Sequence, residues 1–177
     1  MAATPFRPAI DLMSHYAEYH RDKRNIATHF VGIPMIVFAI GILLARFSLF
    51  GVTLAWIAWV LSTAWYLTRG NLVLGIATSL VNAALIGLAH PFAAMLFVNW
   101  LSWGLGAFAL GWVIQFVGHY YEGRKPAFVD DLAGLLVGPM FVTAEVLFAL
   151  GLCQPLHAEI VQRAGPTLIR ARHHTHA

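Results

Sequence analysis

The chain has 177 residues, 59% of them hydrophobic and only 11% charged, with a mean hydropathy of +0.71 and a formal net charge of +3. No Asp, Glu, Lys or Arg occurs between Gly70 and Tyr121, which excludes a soluble globular domain, because so long a water-facing surface needs charge to cover it. The eleven Lys and Arg are spread over loops and tails and read as membrane topology, with no nucleic acid as partner; the single cysteine, Cys153, excludes an intramolecular disulfide or a Cys-rich zinc site.

Residues 1–29 are polar and aromatic, with no apolar run behind a basic start, so no cleavable signal peptide is expected. Four spans of about 20 residues follow at 30–49, 52–67, 72–89 and 92–117, the last long enough to tilt. A fifth apolar segment, 132–152, carries Gly134, Gly138 and Pro139 near its middle and Glu145 in its second half, a pattern compatible with a straight, a kinked or a re-entrant path. With a cytoplasmic N-terminus, Arg21, Lys23, Arg24, Arg69, Arg124 and Lys125 all fall inside. Arg46 alone lies near the outer side, where it can snorkel. A full fifth crossing would export Arg163, Arg170 and Arg172, so the fifth segment is expected to be broken, re-entrant or interfacial. The expected fold is an all-α, polytopic transmembrane helical bundle of four spans plus this Gly/Pro-broken fifth segment.

Small residues within the spans, Gly104, Gly106 and Gly111 and the pair Gly134 and Gly138, predict close helix packing. Trp56, Trp59, Trp65, Trp100, Trp103 and Trp112 are expected at interface belts or lipid-facing surfaces. The end of the chain turns polar and finishes in His173, His174 and His176, a frayed terminus.

Four crossings bring the start of the first span and the end of the fourth to one membrane face. His29 marks the first of these ends and His119 the second, with His15 and His20 upstream of His29 and Glu122 three residues beyond His119. Neutral imidazoles, with or without a carboxylate, suit Fe(II), zinc or copper and leave positions open for substrate. Each residue also has a structural reading. His20 reads as a surface histidine, His29 as a cap or phosphate contact, and Glu122 as half of a surface ion pair. Buried at the end of a charge-free stretch, His119 needs a partner. His15, five residues from His20, is off its face; His90 lies at the opposite membrane face, at a helix end. Asn25 is expected to cap the following helix, and Glu145 to make a structural hydrogen bond.

Tyr19-His20 with Asn25, His29 and Pro34, the block Gly111-Trp112-Val113-Ile114-Gln115-Phe116-Val117-Gly118-His119, and Glu122 with Pro126-Ala127 resemble the small membrane family of Fe(II)-dependent 2-hydroxy fatty acid dioxygenases. The likeness continues through Asp130, Leu132, Pro139, Phe141, Glu145 and Leu150-Gly151. The spacing from His119 to the acidic residue is one shorter than in the fungal pattern. The resemblance implies Fe2+ held by His20, His29 and His119, with Glu122 a fourth catalytic residue. It implies O2 and a long-chain 2-hydroxy fatty acid as substrates, and α-oxidation to the one-carbon-shorter acid with release of CO2. Residues 1–153 would form one transmembrane catalytic domain and 154–177 a polar tail, in a bacterial inner membrane or an endoplasmic reticulum, with the metal near the cytoplasmic face. The competing readings are a haem-binding electron carrier, a non-enzymatic lipid-binding or scaffold protein, and a zinc-dependent membrane hydrolase.

Overall fold

A computed structural model describes residues 6–126 and 133–169 and shows an all-α membrane bundle. Helix α1 (Ala9–Ala17) precedes α2 (Lys23–Ala45), a minimal hairpin of β1 (Ser48–Leu49) and β2 (Val52–Thr53), and α3 (Leu54–Leu67). Then come α4 (Leu72–Ala89), a 3-10 turn (His90–Ala94), α5 (Phe97–Glu122), α6 (Gly134–Ala149) and α7 (Gln154–Ala164). Helix α2, α4 with its 3-10 turn, and α5 are long and apolar enough to cross a membrane. Helix α3 has 14 residues, roughly 21 Å of rise, and is short for a hydrocarbon core of about 30 Å. It begins later than position 52 because Val52 and Thr53 pair back onto Leu49 and Ser48; Phe50 and Gly51 make the turn with positive φ.

Two helix boundaries matter for the site. Helix α2 starts seven residues before the expected span, because the side chain of Asp22 accepts the Arg24 amide at 2.9 Å and caps it. The polar run 23–28 is therefore helical, and His29 sits in the second turn. At the other end of the bundle, Pro91 opens the 3-10 turn and delays α5 to Phe97. That helix runs on to Glu122 and stops at Gly123, whose φ of 70° ends it. His119 and Glu122 thus both lie on its last turn.

Helices α2 and α5 pack closely along Gly104, Gly111 and Gly118, spaced seven apart on one face. A Cβ on Gly111 would meet the Gly32 carbonyl at 3.0 Å, one on Gly32 the Gly111 carbonyl at 2.9 Å, and one on Gly118 would collide with Asn25 and Thr28. Gly106 faces open space instead. Tryptophans also join helices: Trp100 is buried and donates to the Ile42 carbonyl at 2.8 Å, and Trp59 donates to that of Ser79 at 2.8 Å. These two are inter-helix pins, whereas Trp103 is exposed as expected of a lipid-facing residue. Arg46, at the far end of α2, donates to the carbonyls of Ala93 and Met95.

The fifth apolar segment bends, although not at Gly134, Gly138 or Pro139. Pro139 lies inside α6, and the break comes after Ala149, where Gly151 and Cys153 take positive φ and α7 turns away by 116°. Near the start of α6 the Leu136 carbonyl accepts from the Tyr66 hydroxyl at 3.0 Å, near the end of α3. Helix α7 then folds back on α1, with Ile160 in their shared core and Arg163 2.7 Å from Asp11. What reads as a polar tail is structured through Leu168, whose N–H donates to the Arg21 carbonyl and whose carbonyl accepts from the Lys23 N–H, both at 2.9 Å. Ala127, Asp130, Leu132, Arg170, Arg172 and the three terminal histidines lie outside the described residues.

Candidate metal centre

His20 occupies the turn between α1 and α2, His29 the second turn of α2, and His119 the last turn of α5. All three are buried, and one ligand atom from each lies within 4.8 Å of the others. Their ring centroids stand 4.4, 4.9 and 5.1 Å apart, with the planes nearly perpendicular.

The hydrogen bonds decide which nitrogens are available. His20 Nδ1 lies 2.7 Å from the Tyr16 carbonyl oxygen, and His29 Nδ1 lies 2.8 Å from that of Asn25. A carbonyl oxygen only accepts, so each Nδ1 carries the proton and each Nε2 presents a bare lone pair. Burial, and then the neighbouring His29, hold the His20 basicity well below the ordinary imidazole range, so that ring is neutral. Yet the two Nε2 atoms stand 2.9 Å apart. Two lone pairs at that distance repel, and neither ring has a proton left to join them. His119 Nδ1 adds a buried nitrogen with no hydrogen-bond partner. Converging, undersatisfied donors of this kind fit a cation, and three neutral imidazoles suit iron, zinc or copper.

The surrounding residues hold the rings. Tyr16 stacks on His20 at 4.1 Å with planes 7° apart, and Phe141 packs against both. Glu122 is fully buried, but the three converging nitrogens do not include its carboxylate in their group. Its Oε2 accepts from the Asp22 N–H at 2.7 Å and from Asn25 Nδ2 at 3.1 Å, so it ties the His20 turn and the start of α2 to α5. Asn25 does not cap α2, which Asp22 does; it supports His29 through its carbonyl and binds Glu122 and the Tyr19 carbonyl through its amide. Arg21 is buried and donates to the carbonyls of Ala17, His20 and Gly165. Burial lowers its basicity, while the charges of Glu145 and Glu122 oppose that shift.

Of the other candidates, His15 is partly exposed, 3.8 Å from Glu18, and outside the cluster. His90 ends α4 at the opposite end of the bundle, beside Trp56. The carbonyls of Tyr16 and Asn25 carried no signal in the sequence beyond each lying four residues before a histidine. Gln115, a side-chain hydrogen-bonding neighbour of His29, entered only through the family motif.

A cavity of about 210 Å³ opens from the cluster between α2, α5 and α6. Tyr16, Gln115 and His119 line it at the histidine end, and Ile36, Ile40 and Phe108 are among its apolar walls further along the bundle. From His119 to Phe108 is eleven residues of α5, roughly 16 Å of rise.

Three buried histidines that could hold a metal ion, in a membrane bundle with an apolar cavity beside His119, define a class of integral membrane protein. Residues 6–150 match the family described as "2-hydroxy-palmitic acid dioxygenase Mpo1-like", and the chain belongs to that family. It is 32% identical over 161 residues to the 2-hydroxy-palmitic acid dioxygenase MPO1 of Saccharomyces cerevisiae, covering 85% of this chain and 88% of the yeast protein. No solved structure matches the chain significantly.

Proposed function

We infer that this protein is an Fe(II)-dependent dioxygenase of the membrane that shortens long-chain 2-hydroxy fatty acids by one carbon. The observation that carries the reading is the buried His20, His29 and His119 cluster, whose His119 lines an apolar cavity, in a chain of this family. The reaction balances without outside electrons: R–CH(OH)–COOH and O2 give R–COOH, CO2 and H2O. Iron held by the three histidines would supply Lewis acidity toward the substrate's head and access to O2 chemistry.

The chain's own residues do the positioning. The carbonyls of Tyr16 and Asn25 fix the tautomers of His20 and His29, so that Nε2 faces inward in both. Glu122 and Asn25 hold the ligand-bearing turn against α5. Ile33, Ile36, Val37 and Trp112 line the cavity beside His119 and Gln115; an acyl chain lying there would exclude bulk water from the head. Lys23, Arg24, Arg124 and Lys125 flank the histidine end of α2 and α5, which supports a cytoplasmic-face position for the centre by the positive-inside rule and would draw a carboxylate toward it.

The decisive experiment loads detergent-purified protein anaerobically with Fe(II), admits O2, and follows 2-hydroxyhexadecanoate and the C15 acid. Iron- and O2-dependent shortening is expected. Zinc-dependent cleavage of an ester of the acid under nitrogen would replace this reading with a hydrolase, and absence of both bound metal and product would leave a lipid-binding protein.

A further inference from the structure

The cavity beside the histidines has few polar groups, and one of them is unaccounted for. Tyr16 is 7% exposed, its ring lies flat on His20, and its backbone carbonyl orients that ligand. None of this uses the hydroxyl. Among the described residues the Tyr16 hydroxyl has no hydrogen-bond partner, yet Tyr16 lines the cavity. Gly138, which lines the same cavity, gives the hydroxyl its room: a Cβ there would stand 3.3 Å from the Tyr16 oxygen and 3.1 Å from Ile33 Cδ1. A phenol at the wall of a mostly apolar cavity is expected to find its partner in what fills the cavity, because the hydroxyl of a largely buried Tyr usually does find one. The protein supplies none from the described residues, and the tail-lining residues are apolar.

We propose that the Tyr16 hydroxyl is a substrate-binding group, donating a hydrogen bond to the carboxylate of an acyl 2-hydroxy acid whose head lies at the three histidines and whose chain fills the α2–α5–α6 cavity. This rests on the functional reading above and adds a specificity residue to it. The phenol distinguishes an ionised head from a neutral one of the same chain length, since a hydrogen bond to a charged acceptor is about twice as strong as one between neutral groups. Gly138 is then a glycine because the hydroxyl and the head need the volume a methyl would take.

The test is Tyr16→Phe, which keeps the ring stacked on His20 and the backbone carbonyl that orients it, and removes a single oxygen. Binding of 2-hydroxyhexadecanoate and of hexadecan-1-ol is measured without O2 on the iron-loaded protein, through tryptophan fluorescence, since Trp112 lines the cavity. Iron content is measured alongside. The expected result is unchanged iron, an acid affinity weakened roughly ten- to hundredfold, and an unchanged alcohol affinity. Equal acid affinity in the variant and the parent, equal losses for acid and alcohol, or loss of iron would each overturn the assignment while leaving the functional reading in place. If the parent protein shows no saturable binding of the acid, the substrate reading falls and this inference with it.

Discussion

At His20 and His29 the chain uses one device twice: each ring gives its Nδ1 proton to the carbonyl four residues earlier, and each is left with Nε2 facing the centre. Replacing His29 or His119 by Ala should therefore remove tight metal binding, measured as metal per chain after gel filtration; stoichiometric iron in either variant would take that residue out of the ligand set. Glu122 works one step back. Glu122→Ala strips the Asp22 N–H and Asn25 Nδ2 of their acceptor and should weaken metal affinity about 10- to 100-fold, as loss of an outer partner of a ligand does. Glu122→Gln keeps an acceptor oxygen and should retain most of it. Competition with a chromophoric chelator separates the two variants, and indistinguishable affinities would show that only the charge of Glu122 matters. That His29 and His119 meet was legible in the sequence because they mark the ends of apolar spans that return to one face, whereas His20, in a polar turn that reads alone as surface, joined them only through the family likeness. The place of Glu122 was not legible, because three residues of helix fix its face and leave open what the chain brings opposite it.

The elements that frame the centre are α2 and α5, and their approach depends on missing side chains. A Cβ at Gly118 would press on Asn25 and Thr28, next to both His29 and His119. Gly118→Ala should thus push the ligand-bearing ends apart, costing about 1–3 kcal/mol of stability and lowering metal affinity, whereas Gly106→Ala faces open space and should do neither. Thermal unfolding in detergent with metal titration reads both effects. A second frame comes from beyond the residues that match the family, where Leu168 pairs with Arg21 and Lys23 on either side of Asp22 and next to His20. Leu168→Pro removes the N–H that donates to the Arg21 carbonyl; Leu168→Ala keeps it and alters only a half-exposed side chain. The proline variant is expected to release metal several-fold faster than the alanine variant. Equal release rates would mean the pairing does not hold the turn. The length of the apolar run located α4 to the residue, while α2 and α5 came out displaced because Asp22 caps a polar first turn and Pro91 starts a 3-10 turn, both short-range features that hydropathy averages away.

For the molecule as a whole, the metal and the fold are linked. The lone pairs of His20 and His29 face each other at 2.9 Å, and a bound cation converts that repulsion into attraction. Metal at a hundredfold its dissociation constant adds about 2.7 kcal/mol to stability, so chelation should lower the unfolding midpoint of the parent protein and leave that of His29→Ala unchanged; a parent midpoint insensitive to chelator would argue against a metal seated among these rings. The amino-acid sequence by itself determined that the chain lives in a bilayer, that its spans are helical, and that histidines gather at one face, because composition and hydropathy report directly on solvent and the bilayer admits few backbone solutions. Only the tertiary structure decided that the fifth segment bends after Ala149 rather than at Pro139, that the residues after Cys153 return to clasp the His20 turn, and which nitrogens point inward. The clasp around the His20 turn depends on contacts between residues as far apart as Asp22 and Glu122 or Arg21 and Gly165, and no local pattern in the chain encodes which distant carbonyl or carboxylate will arrive to meet a given donor.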